Sequence, residues 1–299
     1  MKRTVICELS HLGLVRFFGA AAQTFLHNQL TCDVAPLTSG ESTYGSYCTP
    51  KGRVLSTFLL WRTGDEFFMQ LPSPLREPIQ KQLAKFILRA KVKVSDASSD
   101  WTLIGIAGKD SAALLQRVAS GETVIKLPGE RYEIAAPREK AQAILTALAS
   151  ATEKVTTEYW DWLDIRAGVP VILPAMQETF VPQMLNLDLI GGVSLTKGCY
   201  PGQEIVARMH YRGTLKQRMY LANIAGSDLP QPGDKLYSSN FGEQACGTIV
   251  NAARSPEGGS DLLAVIQIAS AEKGDVHWKA LAGPALKFMQ LPYSVSVPA

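Results

Sequence analysis

Between Tyr44 and Leu71 the chain has no room for a crossover connection. The apolar and aromatic runs Tyr44–Thr49 and Val54–Trp61 are separated only by the turn sequence Pro50-Lys51-Gly52-Arg53, and Thr63-Gly64-Asp65 leads straight into Glu66–Leu71. Parallel neighbours need a dozen or more connecting residues, whereas antiparallel ones need a tight turn. These segments therefore predict a three-stranded antiparallel meander.

The flanking pattern extends this reading. Leu14–Phe18 predicts a strand ending at Gly19, and Ala21–Leu30 a helix. After Pro72, the residues Ile79, Leu83, Phe86, Ile87 and Ala90 recur at spacings of three and four, one face of an amphipathic helix. Strands are expected at Lys91–Val94, Trp101–Ala107 and Arg131–Ala136, with helices from Asp110 to Ala119 and from Pro137 to about Ser150. Irregular alternation with antiparallel hairpins favours α+β over a doubly wound sheet. From Lys216 the texture changes to short β-rich runs, Arg218–Ile224, Cys246–Val250 and Leu262–Ile268, broken by Pro-Gly and Gly-Gly turns. That spacing suits a small antiparallel barrel. A chain of 299 residues exceeds one typical core, so residues 1–215 are expected to form one α+β region and 216–299 a C-terminal β-barrel.

Composition narrows the function classes. Apolar residues are 46% and charged residues 19%, ordinary for a globular protein. The net charge of +3 is small, and the basic stretches Lys81–Lys93 and Arg208–Arg218 are interleaved with apolar residues, so direct nucleic-acid binding is not expected. Five cysteines, at 7, 32, 48, 199 and 246, form no Cys-x-x-Cys pair and match no disulfide framework. The four histidines are dispersed, so no metal site is expected. No apolar run reaches the roughly 20 residues of a membrane span, and Met1–Ser10 lacks the form of a secretory leader, so a reducing cytoplasm is expected; a monomer is expected as well.

The informative region is Gly191–Gly213, GGVSLTKGCYPGQEIVARMHYRG. Its glycines exclude a regular element until Pro201, which suits the first position of a helix running to about Arg212. Cys199 then stands just before a helix N-terminus, where partial positive charge favours a thiolate, and Lys197 two residues upstream adds a cation. A buried, inert cysteine is the competing reading on composition alone.

Lys197-Gly198-Cys199-Tyr200-Pro201-Gly202-Gln203-Glu204 resembles the signature octapeptide of the YgfZ family, and Gly192-Val193-Ser194 and Ala207-Arg208 fit beside it. Pro182-Gln183-x-x-Asn186-Leu187 and Gln29-Leu30-Thr31-x-Asp33-Val34 resemble two further stretches of that family. The resemblance implies a fold of the glycine cleavage T-protein type, with intertwined antiparallel-sheet and helix subdomains and a C-terminal barrel around a folate. It implies tetrahydrofolate or a derivative as cofactor, with contacts at Trp160, Leu12, Gln183, Asn186, Tyr200, Gln203 and Glu204. Cys199 is the implied reactive residue and Lys197 its support. Leu12 falls where the family has a second pocket tryptophan, and leucine covers a ring without stacking on it. The T-protein's paired aspartates fall near Ser56 and Thr57, and a folate-holding glutamate falls at Met184, so aminomethyl transfer is not expected.

The function implied is a folate-binding accessory protein that supports iron–sulfur cluster assembly or repair, its partners being iron–sulfur enzymes such as those that thiolate tRNA. A folate-dependent aminomethyl or demethylating transferase is one alternative. A non-catalytic partner-binding module with the signature as docking loop is another.

Overall fold

The computed structural model describes residues 3–118, 121–211, 213 and 215–295. The expected helix ends at Ala119 and Arg212, and the chain start at Met1 and Lys2, lie outside the described residues. The chain forms two compact units that interleave along the sequence: Met1–Gln29, Asp33–Thr43 and Phe58–Trp160 make the first, and Leu30–Cys32, Tyr44–Thr57 and Asp161–Ala299 the second. Leu215 lies within the second unit.

Strands β1 (Val5–Glu8) and β2 (Leu12–Phe18) and helix α1 (Ala22–Gln29) come first. The meander follows as β3 (Ser42–Cys48), β4 (Val54–Thr63) and β5 (Glu66–Pro72). Then come helix α2 (Ser73–Ala84), β6 (Lys93–Asp96) and β7 (Trp101–Ala107). Helix α3 (Ser111–Val118), β8 (Thr123–Leu127), β9 (Arg131–Pro137), helix α4 (Arg138–Leu148) and β10 (Glu153–Lys154) lead to helix α5 (Thr157–Arg166). One sheet has the order β3-β4-β5-β2-β6, so the meander strands are neighbours as expected. The other has the order β10-β1-β7-β9-β8, parallel only between β1 and β10. Ile104, Ile106 and Ile134 of this sheet pack with Leu114, Leu115, Ile144 and Leu148 of α3 and α4 to form one core.

The amphipathic face read as far as Ala90 ends earlier. Helix α2 stops at Ala84, and Phe86 and Ala90 are exposed. Leu88 has φ of 46°, a left-handed conformation that no α-helix can continue through, and the Ala90 N–H closes a turn onto the Ile87 carbonyl. The spacing persisted past the point where the backbone turned.

In the second unit, helix α6 (Gln203–Tyr211) precedes β11 (Gln217–Ile224), β12 (Lys235–Tyr237), β13 (Ala245–Arg254) and β14 (Ser260–Gln267). Helix α7 (Ile268–Lys273), β15 (His277–Trp278) and β16 (Leu286–Met289) follow. The antiparallel sheet β15-β12-β13-β14-β11-β16 is curled, and an isolated bridge between His277 and Ala285 links its two ends. Leu236, Ile249, Leu262, Ala264, Ile266 and Trp278 fill one face of it. Met219, Leu221, Leu263 and Val265 meet Ile172, Phe180, Leu185 and Leu187 in a second core. That core carries the irregular segment that leads into the glycine-rich region.

Candidate functional site

The glycine-rich segment is held from three sides within the second unit. From the first side, the Thr31 hydroxyl donates to the Gly192 carbonyl at 2.6 Å and the Ser194 N–H donates to the Thr31 carbonyl at 2.9 Å. Second, the hairpin tip between β3 and β4 approaches at Gly52. A Cβ on Gly202 would stand 2.6 Å from both Gly52 Cα and the Thr49 carbonyl oxygen, and Gly202 has φ of 84°. From below, Gln183 Nε2 donates to the Val206 carbonyl of α6 at 2.6 Å.

Gly202 also decides where the helix begins. With φ of 84° it cannot be helical, so α6 starts at Gln203, with Pro201 and Gly202 in the preceding turn. This corrects the expected start at Pro201. Cys199 thus lies four residues ahead of the helix rather than at its cap, and the helix dipole falls off within about one turn.

Cys199 is exposed, whereas Cys7, Cys32, Cys48 and Cys246 are buried. Burial pushes the Cys48 thiol up to about 12, partly offset by its Ser46 hydrogen bond, and also raises Cys246. We expect iodoacetamide to label Cys199 at least tenfold faster than any other thiol in the native protein at pH 7.5. Peptide mapping by mass spectrometry checks this, and the four buried thiols should label only on denaturation.

Lys197 is buried and its ammonium donates to the carbonyls of Leu30 at 2.6 Å and Cys32 at 2.8 Å. The same Nζ lies 5.0 Å from the centroid of the Tyr200 ring. Tyr200 is buried with a hydroxyl that has no hydrogen-bond partner among the described residues. Burial, with Cys48 and Cys32 nearby, raises its phenol well above the usual range. Gln203 Nε2 reaches the Lys197 carbonyl at 3.4 Å, and Glu204 is exposed in the first turn of α6. Asn186 is buried with φ of 56°, donates to the Met219 carbonyl at 2.9 Å and accepts from Arg218 at 3.3 Å.

The first unit holds the other two residues read from the sequence. Leu12, partly exposed, lines a cavity of about 180 Å³ with Glu8, Trp101 and Arg138. Trp160 is wholly buried elsewhere in that unit. Its indole occupies the space that a Cβ on Gly105 would need, 2.6 Å away, and the Arg131 guanidinium lies 5.7 Å from the ring centroid. Trp160 Nε1 is a buried donor with no hydrogen-bond partner among the described residues. Leu12 and Trp160 do not share that cavity. Ser56 and Thr57 are buried; Ser56 donates to the Thr57 carbonyl, and the Thr57 hydroxyl accepts from the Ile172 N–H at 3.0 Å.

Residues 1–126 match the family model described as the GCVT N-terminal domain. A tRNA-modifying protein YgfZ from Colwellia psychrerythraea is 32% identical over 99% of this chain and 95% of its own length. The chain belongs to the YgfZ family. A second member, the tRNA-modifying protein YgfZ from Escherichia coli strain SMS-3-5, is 30% identical over 97% of this chain and 93% of its own. A crystal structure of the glycine cleavage system aminomethyltransferase T from Bartonella henselae superposes with a TM-score of 0.74 over 97% of this chain and 86% of that one, at 17% identity. The fold is therefore that of the T-protein, as the family resemblance implied.

Two residues that hold the glycine-rich segment carry no sign of it in the sequence. Thr31 belongs to a stretch that resembles the family, and Gly52 to the turn between β3 and β4. Their contact with the signature spans more than 140 residues of sequence and no local pattern signals it. Among the described residues, no group of three or more His, Cys, Asp or Glu side chains could hold a metal, and no helix is long and apolar enough to cross a membrane.

Proposed function

We propose that this YgfZ family chain is a folate-binding accessory protein whose exposed Cys199 acts in the assembly or repair of iron–sulfur clusters, and so in tRNA modification by client enzymes. The observation that carries the reading is the contrast among thiols: Cys199 is exposed on a pinned glycine-rich loop while the other four are buried. A structural cysteine has no reason to stand outside the core. The relatives named for tRNA modification supply the pathway.

The residues present fit a folate in part. A pterin ring carries donors and acceptors in one plane, and Trp160 Nε1 in the first unit is a buried polar atom that such a group would satisfy. The cavity beside Leu12, at about 180 Å³, is below the roughly 300 Å³ at which pockets for whole drug-sized ligands begin, so it takes a single ring at most. Gln203 and Glu204 present polar side chains beside the loop. In the second unit, the amides of Gln183 and Asn186 are engaged with internal carbonyls and brace the segment that carries the loop. Bound folate would supply one-carbon carrier chemistry or a conformational bias. This chain's own part is to hold the ring and present the thiol.

Two measurements test the proposal. Tetrahydrofolate should quench tryptophan emission saturably, and Trp160→Phe should weaken binding about tenfold or more. Unchanged affinity would put the site elsewhere. In cells lacking the native protein, Cys199→Ser should fold as the parent does yet fail to restore thiolated tRNA. Full restoration would favour the docking-module reading, in which the loop is bound rather than reactive.

A further inference from the structure

The three residues Leu30, Thr31 and Cys32 grip the glycine-rich segment with consecutive backbone groups. Their carbonyls accept from Lys197 Nζ, from the Ser194 N–H and from Lys197 Nζ again, and the Thr31 hydroxyl donates to Gly192. Thr31 is itself locked, its N–H on the Ser46 carbonyl at 3.0 Å and its hydroxyl receiving the Ser46 N–H at 2.9 Å. The Lys197 backbone is fixed as well, its N–H on the Ser194 hydroxyl at 3.2 Å. The result is a clasp joining chain segments about 165 residues apart. Its strongest members are charge-assisted bonds to a cation that is only 8% exposed. Two residues further on, the chain emerges with an open Gly198 and an exposed Cys199.

We propose that Lys197 is a positioning residue: its buried ammonium clasps Leu30–Cys32 and thereby sets the path of the loop that presents Cys199, rather than activating the sulfur by its charge. The inference rests on the reading of Cys199 above and assigns the lysine of the signature a mechanical part in it. A lysine is suited to this because its single ammonium can reach two carbonyls at the end of a long apolar stem. Methionine matches the stem and lacks the donors.

The test compares Lys197→Met, Lys197→Arg and the parent in three readouts. In Lys197→Met the Ser194 amide should exchange with deuterium at least tenfold faster, since loss of charge-assisted bonds frees the local opening that protects it. Cys199 alkylation should keep its pH midpoint and stay within threefold of the parent rate. Restoration of thiolated tRNA in cells should fall tenfold or more, with Lys197→Arg, which keeps donors, recovering part of it. A tenfold slower alkylation with an upward shift of midpoint would show that the charge acts on the thiol, and an unchanged Ser194 amide would show that there is no clasp; either overturns the proposal. If Lys197→Met does not fold, Thr31→Val removes the hydroxyl contact from the opposite side, and the same amide decides. A fully active Cys199→Ser would end the functional reading, and the Ser194 exchange would still judge the clasp.

Discussion

Gly202→Ala should destabilise the protein by about 3 kcal/mol, while Gly198→Ala, four residues earlier in the same motif, should change stability by less than about 0.5 kcal/mol. Both glycines look equivalent in the sequence. Gly202 has φ of 84°, where an L-residue costs roughly 1–2 kcal/mol, and its Cβ would collide with Gly52 Cα, Gly52 N and the Thr49 carbonyl, all backbone atoms that cannot rotate away. Overpacking of that kind adds roughly 1–3 kcal/mol. Gly198 has nothing within 4 Å of its would-be Cβ and no left-handed backbone. Thermal denaturation should show a drop of about 6–12 °C for Gly202→Ala. A shift under 1 °C would mean that the hairpin tip and the signature loop are not in contact as described. Because the turn at Gly202 sets where α6 begins, this variant should also lose function in cells, whereas Gly198→Ala should retain it.

The second large effect is expected at Arg218. Its guanidinium meets Asp188 through two bonds, at 2.8 and 2.9 Å, and also donates to the Gln183 carbonyl at 3.0 Å. The Arg218 and Asp188 side chains are only 5% and 12% exposed, so water screens the pair weakly. Arg218→Met leaves the Asp188 carboxylate and a buried carbonyl without their donor, a change that costs about 3–5 kcal/mol for a buried pair. Removing both charges, as Arg218→Met with Asp188→Leu, should recover more than half of that loss, because no unpaired carboxylate remains. Denaturant titration of the two single variants and the double variant closes the cycle. Simple additivity of the single effects would show that the pair does not act as a unit. Since Arg218 ties β11 to the Gln183–Asp188 segment, its loss should also loosen the floor beneath α6.

The local elements were legible where one period or one turn dictates them. Trp101–Ala107 was readable as a strand to the residue, because its apolar run is bounded by Asp100 and Gly108. The meander was readable because its turns are too short for any other connection. β1 escaped notice: Val5–Glu8 is four residues long, and it is a strand because β10 and β7 pair with its two sides. Helix α2 was read too long because hydrophobic period carries no information about a left-handed residue such as Leu88. In the site, the octapeptide pointed to Cys199 and the family, but the backbone at Gly202 moved the helix start, and no spacing rule could show it.

The sequence by itself determined the meander, most of the longer elements, the β-rich C-terminal region and the motif that contains the exposed thiol. All are properties of neighbouring residues, set by periodicity, turn chemistry and the absence of a crossover. Only the tertiary structure decided what each motif residue touches. Lys197 reads as a cation for Cys199 when two residues of spacing are all that is known, yet its ammonium is held by carbonyls of Leu30 and Cys32. Trp160 reads as a ligand contact through the family resemblance, with core packing as the competing reading, and its burial against Gly105 is visible only in the fold. The physical reason is common to both. A side chain's charge or ring can be read from one position, but its partner is chosen by long-range packing, which brings together residues that the chain keeps far apart.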